Sequence, residues 1–339
     1  MHRTQRNLMG TVWMVGISGG EEQPATVAAN KALDEVARLE SILSEWKKDS
    51  EVSRVNDQAG IAPVKVGPEL MACVTSSLDV ARWSNGAFDI SWAALRDLWD
   101  FGPDSTHVPP SREAVKARLP LWNWHNIRVD AAKSTIFLLK KGMQIGLGGI
   151  AKGYALDRAS AILQKAGYED FLIFGGGQVL VHGHRGKRLW RVGIQNPRDD
   201  SYFGFVDVTN ASVSTSGDYE HSYFYQDKRY HHIIDPATGF PSEKTASVTV
   251  IASTGLWADA VDTAVFVLGP KRGLAALAKA PGGPIDGVMV DPELRVSATP
   301  GAASRLVLSV HLDDQQRIGA PLEPGDHIPK LTPIAASAR

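Results

Sequence analysis

Apolar residues recur at helical spacing in several stretches of the chain. Leu33, Val36, Leu39 and Leu43 predict a helix over 24–46, and Leu70, Val74, Leu78 and Ala81 predict a second over 68–83, stopped by Asn85-Gly86. A third spans 150–166, with Tyr154, Ala155, Ala159, Ile162 and Leu163 inward and Gly167 ending it. Two further helices are predicted over 257–268 and 272–280. Short strand-like runs occupy 11–15, 127–129, 135–139, 171–174, 178–182, 190–194, 204–208, 247–251 and 306–312, with turn residues between them. The segment 102–125, rich in proline, histidine and tryptophan, reads as a covering segment. Strands and helices are partly segregated, which predicts an α+β fold with antiparallel sheets and packed helices.

Composition narrows the class. With 43% hydrophobic and 22% charged residues, 339 residues can bury a large core. The formal net charge of -1 argues against a nucleic-acid-binding surface over the whole molecule. The single cysteine, Cys73, excludes an intrachain disulfide framework and any paired-cysteine zinc or redox site. No apolar run is long enough to span a membrane. Gly10 and Gly16 interrupt the apolar stretch near the N-terminus, which predicts a folded strand and a cytoplasmic protein. The alternative is an exported chain whose leader is not in this sequence.

Two motifs have simpler readings. Gly16-Ile17-Ser18-Gly19-Gly20 matches the hydrolase pattern G-x-S-x-G, but the preceding chain is too short to supply the strands and oxyanion loop of a nucleophile elbow; a turn is expected. Gly146–Ala151 matches the dinucleotide pattern G-x-G-x-x-G/A ahead of a helix, yet the flanking runs read as antiparallel strands rather than a βαβ unit.

More informative are Asp259, Asp262 and Thr263, at i, i+3 and i+4 of a helix whose remaining residues are apolar. Two carboxylates on a buried helix need a counter-charge, and a hard cation with oxygen ligands supplies one. The alternative is a pair of acids facing the helix dipole. The run His231–Gly239 reads as a strand entering a tight turn, its adjacent histidines on opposite faces. Residues 214–219 read as a polar loop.

Seven blocks, taken in order, resemble the ApbE-type FAD:protein FMN transferases over about residues 8 to 300. They are Met9-Gly10-Thr11, SEWKKDSEVSRVN (44–56), GAFDISWAALRDLWDFG (86–102), GLGGIAKGYALD (146–157), TSGDY (215–219), HHIIDPATGFP (231–241) and ADAVDTA (258–264). The resemblance implies a T-fold-like domain over residues 1–302, with a C-terminal strand and extended tail over 303–339. It implies that FAD lies in a central cleft, with Met9 and Trp46 flanking a ring and with Ala87, Phe88, Asp89, Gly146, Lys152 and Ile233 contacting the nucleotide. Magnesium would take Asp259, Asp262, Thr263 and the Gly149 carbonyl. The implied reaction transfers FMN to a threonine or serine hydroxyl of an acceptor protein and releases AMP, with His232 and Asp262 moving the proton. The same site permits two alternatives, a magnesium-dependent FAD pyrophosphatase giving FMN and AMP, and a flavin-binding protein with little turnover.

Two positions depart from the pattern the family usually shows. Gly146 stands where an aspartate is usual, and Gly177 where Asp or Asn is usual. With no adjacent carboxylate evident in the sequence, weakened FAD binding is expected, and Gly146→Asp is expected to tighten it.

Overall fold

The computed structural model describes residues 1–102 and 105–308. Its main sheet has eight strands: β1 (His2–Leu8), β2 (Thr11–Ile17), β3 (Phe171–Gly175), β4 (Gln178–His182), β5 (Ala211–Gly217), β6 (Ser247–Ala252), β7 (Asp286–Val290) and β8 (Val296–Ala298). Their spatial order follows chain order, and every neighbouring pair is antiparallel. There is thus no parallel βαβ crossover in this sheet, and the glycine-rich stretch at 146–151 does not open a dinucleotide-binding unit. The α+β expectation is met.

Long insertions between strands carry the helices α1 (Glu22–Leu43), α2 (Glu51–Asp57), α3 (Pro68–Trp83), α4 (Arg112–Arg118), α5 (Ala151–Lys165), α6 (Gly255–Leu268) and α7 (Pro270–Leu277). Helices α1, α5 and α6 pack on one face of the sheet. Leu33, Val36, Leu39, Ala155, Ala159 and Leu163 meet Trp13, Val15, Phe171 and Ile173 there. The opposite face is covered by a three-stranded sheet of Trp190–Gln195, Tyr202–Val208 and Leu306–Leu308. Its Trp190, Val206 and Leu306 bury against Val181, Val213, Ile251 and Val288.

Strand alternation places the chemistry. Val213 faces the smaller sheet, so Ser212, Ser214 and Ser216 of β5 face the helices. The sequence predicts a polar loop here, and the structure instead shows a central strand. Its hydroxyls are satisfied internally on both faces: Ser212 donates to the Val179 carbonyl at 3.1 Å, and on the other face Thr215 pairs with Thr249 across the strands at 2.9 Å.

Three other elements escape the hydrophobic pattern. β1 is an edge strand, HRTQRNL, with no fully buried residue. α2 is only seven residues long and buries Val52 and Val55. The covering segment contains α4, capped by Ser111, whose hydroxyl accepts from the Ala114 amide. The expected strand over 306–312 is seen at Leu306–Leu308; residues 309–312, and the expected tail beyond them, lie outside the described residues. Gly19 and Gly20 both have positive φ, in the turn after β2 expected of that motif. Among the described residues no helix is long and apolar enough to cross a membrane.

Candidate functional site

Helix α6 begins beside α5. Thr254 is its N-cap, and both Asp157 oxygens, reaching across from α5, accept from the amides of Gly255 (2.6 Å) and Leu256 (2.9 Å). The two helices touch at glycines. A β-carbon on Gly153 would lie 2.1 Å from the Gly255 carbonyl oxygen and 2.7 Å from Asp259 Cβ. This close approach lets the Gly153 N–H donate to Asp259 Oδ2 at 2.8 Å.

Asp259 and Asp262 are 5% and 2% exposed. Asp262 accepts from Ser214 Oγ at 2.6 Å, Ser216 Oγ at 3.0 Å and Thr263 Oγ1 at 3.1 Å. Serines at i and i+2 of a strand share one face, so β5 presents both hydroxyls to one carboxylate. Removal from water pushes both aspartates' pKa values up. Repulsion from Asp259 raises Asp262 further, against the three hydroxyl donors, and the Lys152 charge partly offsets the rise at Asp259. Asp259 Oδ1 has no hydrogen-bond partner among the described residues.

The Gly146–Ile150 loop closes on this pair. A β-carbon on Gly149 would lie 3.3 Å from Thr263 Oγ1 and 3.2 Å from Phe88 Cε2, so glycine is what lets this backbone approach the hydroxyl. Lys152, in the first turn of α5, donates to the Gly148 carbonyl at 2.9 Å. Asp259, Asp262, Thr263 and Gly149 are thereby brought together. No group of three or more His, Cys, Asp or Glu side chains poised for a metal occurs among the described residues. The donors here are instead two carboxylates, a hydroxyl and a backbone carbonyl. An oxygen-only set with few carboxylates, one of them keeping an unpaired oxygen, fits magnesium rather than a softer metal.

The two histidines separate cleanly. His231 is buried: Nε2 donates to the Ser242 carbonyl at 2.9 Å, Nδ1 accepts from the Ile233 amide at 3.3 Å, and the ring packs edge-on against Phe266. Both nitrogens are therefore used. His232 is exposed, with protein groups close around it. Its Nδ1 pairs with the Glu220 carbonyl at 3.1 Å; because a carbonyl only accepts, Nδ1 carries the proton and Nε2 keeps its lone pair. Surrounding protein, then the nearby His221 and His231, hold the His232 pKa below the ordinary value, so its imidazole is neutral near pH 7. Lys152 lies within electrostatic reach of both His232 and Asp259.

The remaining expected residues lie around this cluster with differing freedom. Met9 sits at the β1–β2 turn with φ 49°. Trp46 is 71% exposed, with the Arg96 guanidinium carbon 4.7 Å from its ring centre. Phe88 packs its ring on Gly149, and Ala87 is half-buried against the cluster under α6. Ile233 is buried, its carbonyl accepting from the Ser242 amide at 3.0 Å. Asp89 is committed to the fold: its carboxylate accepts from the Ser91 amide and hydroxyl and from the Trp124 amide at 2.7–2.8 Å. Those bonds order the turn of helix over Ile90–Leu95 behind Phe88.

At Gly146 the structure corrects the expectation drawn from sequence. A carboxylate does lie beside it, from Glu45: a β-carbon at Gly146 would lie 2.9 Å from Glu45 Oε1 and 2.9 Å from Trp92 Cζ2. An aspartate there would collide with both, so Gly146→Asp alone is not expected to tighten binding. Glu45 and Ser216 fall within quoted blocks, and Ser214 and Ser216 within the expected polar loop, but their roles depend on tertiary contact and were not assigned from sequence. Asp157 is part of a quoted block, but its capping of α6 is likewise visible only in three dimensions.

The ApbE family profile matches residues 9–284. A FAD:protein FMN transferase of Treponema pallidum is 35% identical over 320 residues, covering 88% of this chain and 87% of its own. The protein of the same name from Klebsiella pneumoniae is 35% identical over 271 residues, covering 78% and 77%. Among solved structures, an ApbE protein of Thermotoga maritima superposes with a TM-score of 0.81 at 30% identity, covering 88% of this chain and 97% of its own. The flavin transferase ApbE of Vibrio cholerae gives 0.75 at 26% identity, covering 88% and 96%.

Proposed function

The chain belongs to the ApbE family, and we propose that it transfers FMN from FAD to a threonine or serine hydroxyl of an acceptor protein, with magnesium, releasing AMP. The observation that carries the reading is the buried Asp259–Asp262 pair, closed by the Gly146–Ile150 loop and bordered by Lys152. Two desolvated carboxylates in one cluster are costly unless a cation joins them.

Asp259, Asp262, Thr263 and the Gly149 carbonyl would hold the magnesium. Bound there, it supplies charge neutralisation for the pyrophosphate oxygens and for the departing AMP phosphate. The chain's own residues do the rest. Ser214 and Ser216 hold the Asp262 carboxylate in place, and the Gly153 amide holds Asp259. The Lys152 ammonium adds positive charge beside the glycine loop. The acceptor hydroxyl oxygen forms a bond to the FMN phosphorus as the bond from that phosphorus to the AMP oxygen breaks. The hydroxyl proton passes to a base, for which His232 Nε2 offers an open lone pair and a neutral ring, and Asp262 a carboxylate whose basicity burial has raised. Trp46 and Met9 present apolar surface for a flat ring.

The test is incubation with FAD and magnesium, with and without a threonine-bearing acceptor peptide, followed by chromatography. AMP formed in step with flavin-linked peptide supports transfer. AMP with free FMN, unchanged by the peptide, assigns the site to hydrolysis. FAD left intact under both conditions refutes the reading.

A further inference from the structure

We propose that Glu45 is a positioning residue of this site: its carboxylate fills the notch at Gly146 and fixes the Gly146–Ile150 loop against which FAD binds. The ligand's identity rests on the transferase reading above; the contact between Glu45 and the loop does not.

The space that a side chain at position 146 would need is already taken. Glu45 Oε1 and the Trp92 ring both lie 2.9 Å from where its β-carbon would stand. The backbone of Gly146 is pinned on both sides, its N–H donating to the Ile90 carbonyl at 2.8 Å and its carbonyl accepting from Trp92 Nε1 at 3.1 Å. Burial raises the Glu45 carboxyl's pKa above its ordinary value, and the nearby amides of Glu45 itself and of Leu147, one step along the loop, offset part of that rise. The carboxylate therefore bridges the turn after α1 to the glycine loop.

The same turn is anchored from a third element. Arg96 donates to the Glu45 carbonyl at 3.2 Å and to Gln144 Oε1 at 3.1 Å, and its guanidinium covers the Trp46 ring. Lys152, whose ammonium is tied to Gly148, also attracts the Glu45 carboxylate. Glu45 thus joins the exposed ring of Trp46, the loop that meets Thr263, and the lysine beside the carboxylate pair. A half-buried carboxylate with these partners organises a loop, whereas a surface glutamate would leave it free.

The experiment uses the full chain in four forms: Glu45→Ala, Glu45→Gln, Gly146→Asp, and Glu45→Ala combined with Gly146→Asp. It reads KM and kcat for FAD with magnesium, FAD affinity by calorimetry, thermal stability, and hydrogen exchange at the Leu147–Ile150 amides without ligand. Losing the Glu45 carboxylate from the notch at Gly146 predicts about tenfold higher KM and Kd for FAD in Glu45→Ala, with kcat within about twofold and faster loop exchange. Glu45→Gln keeps one acceptor and is expected to lose about threefold. Gly146→Asp alone loses affinity through collision. Combined with Glu45→Ala, the collision with the glutamate is relieved while that with the Trp92 ring stays, so KM in the double variant lies below the product of the two single effects.

A fall in thermal stability with KM unchanged, fully additive losses in the double variant, or loop exchange in Glu45→Ala equal to that of the natural protein overturns the proposal. If the natural protein leaves FAD intact, the transferase reading fails, and loop exchange alone then decides the role of Glu45.

Discussion

Gly153→Ala adds one methyl group at the crossing of α5 and α6. In an isolated helix that change stabilises by about 1 kcal/mol. Here the new carbon would stand 2.1 Å from the Gly255 carbonyl oxygen, 2.5 Å from its carbon and 2.7 Å from Asp259 Cβ. Ordinary contact between carbon atoms begins at about 3.5 Å, so the helices must separate by roughly 1 Å or more. Three hydrogen bonds run through this crossing: Gly153 N–H to Asp259, Gly255 N–H to Asp157, and Gln178 Nε2 to the Gly255 carbonyl, at 2.8, 2.6 and 2.8 Å. Overpacking costs about 1–3 kcal/mol, and weakening two bonds to charged acceptors adds roughly 1.5–3 kcal/mol. The net expectation is a loss of about 3 kcal/mol, which lowers the melting midpoint of a chain this size by roughly 4 °C. Asp259 moves with the crossing, so the magnesium-dependent rise in melting temperature should shrink as well. Urea denaturation and thermal melts with and without magnesium read both quantities. Stability within about 0.5 kcal/mol of the natural protein, with an unchanged magnesium response, would refute the close-contact reasoning.

Asp259→Ala and Asp262→Ala should each cut AMP formation from FAD by about 10² or more, and abolish magnesium-dependent thermal stabilisation; full activity in the double variant would sink the metal assignment. His232→Asn should lower kcat by about 10²–10⁴. His231→Asn should instead lower stability by about 1–3 kcal/mol, because both of its ring nitrogens are bonded in the interior; small, equal effects on kcat leave both histidines structural. Asp262→Asn isolates a pH effect. A carboxyl whose folded-state pKa is raised contributes stability below its ordinary value of 3.8 and loses that contribution as the pH climbs through the raised value. The metal-free natural protein should therefore lose stability relative to Asp262→Asn as pH rises from 3.8 towards neutrality, and a flat difference in melts across that window contradicts the buried-charge account.

Elements whose burial follows one period were legible from the chain alone. α3 lies at 68–83 as predicted, since Leu70, Val74, Leu78 and Ala81 make one buried stripe. β5 was hidden because its inward side chains are serines, and a serine is an acceptable core residue only when something opposite takes its proton. That partner, Asp262, is 48 residues further along the chain from Ser214. β1 was hidden for the opposite reason: an edge strand with no fully buried residue carries no inside to read. The carboxylates of α6 could be paired from spacing, but α6 buries residues all round, from Ala258 to Val267. Helical periodicity therefore did not say which side faced the ligand.

The serines of β5 mark the polar side of α6. A helix wrapped in apolar contacts can keep two acids only where the facing surface answers them, and β5 answers with hydroxyls at alternate positions on one face of a strand. Ser214 and Ser216 satisfy both oxygens of Asp262, while Asp259 receives a single amide and retains one oxygen without a partner. The asymmetry divides the labour between the acids. Asp262 is held rigidly with its basicity raised, and Asp259 keeps the unpaired oxygen that a cation can take. Filling the Asp262 side with hydroxyls rather than ammonium groups also leaves the cluster short of positive charge apart from Lys152, a shortfall that the divalent ion of the proposed reaction would make good.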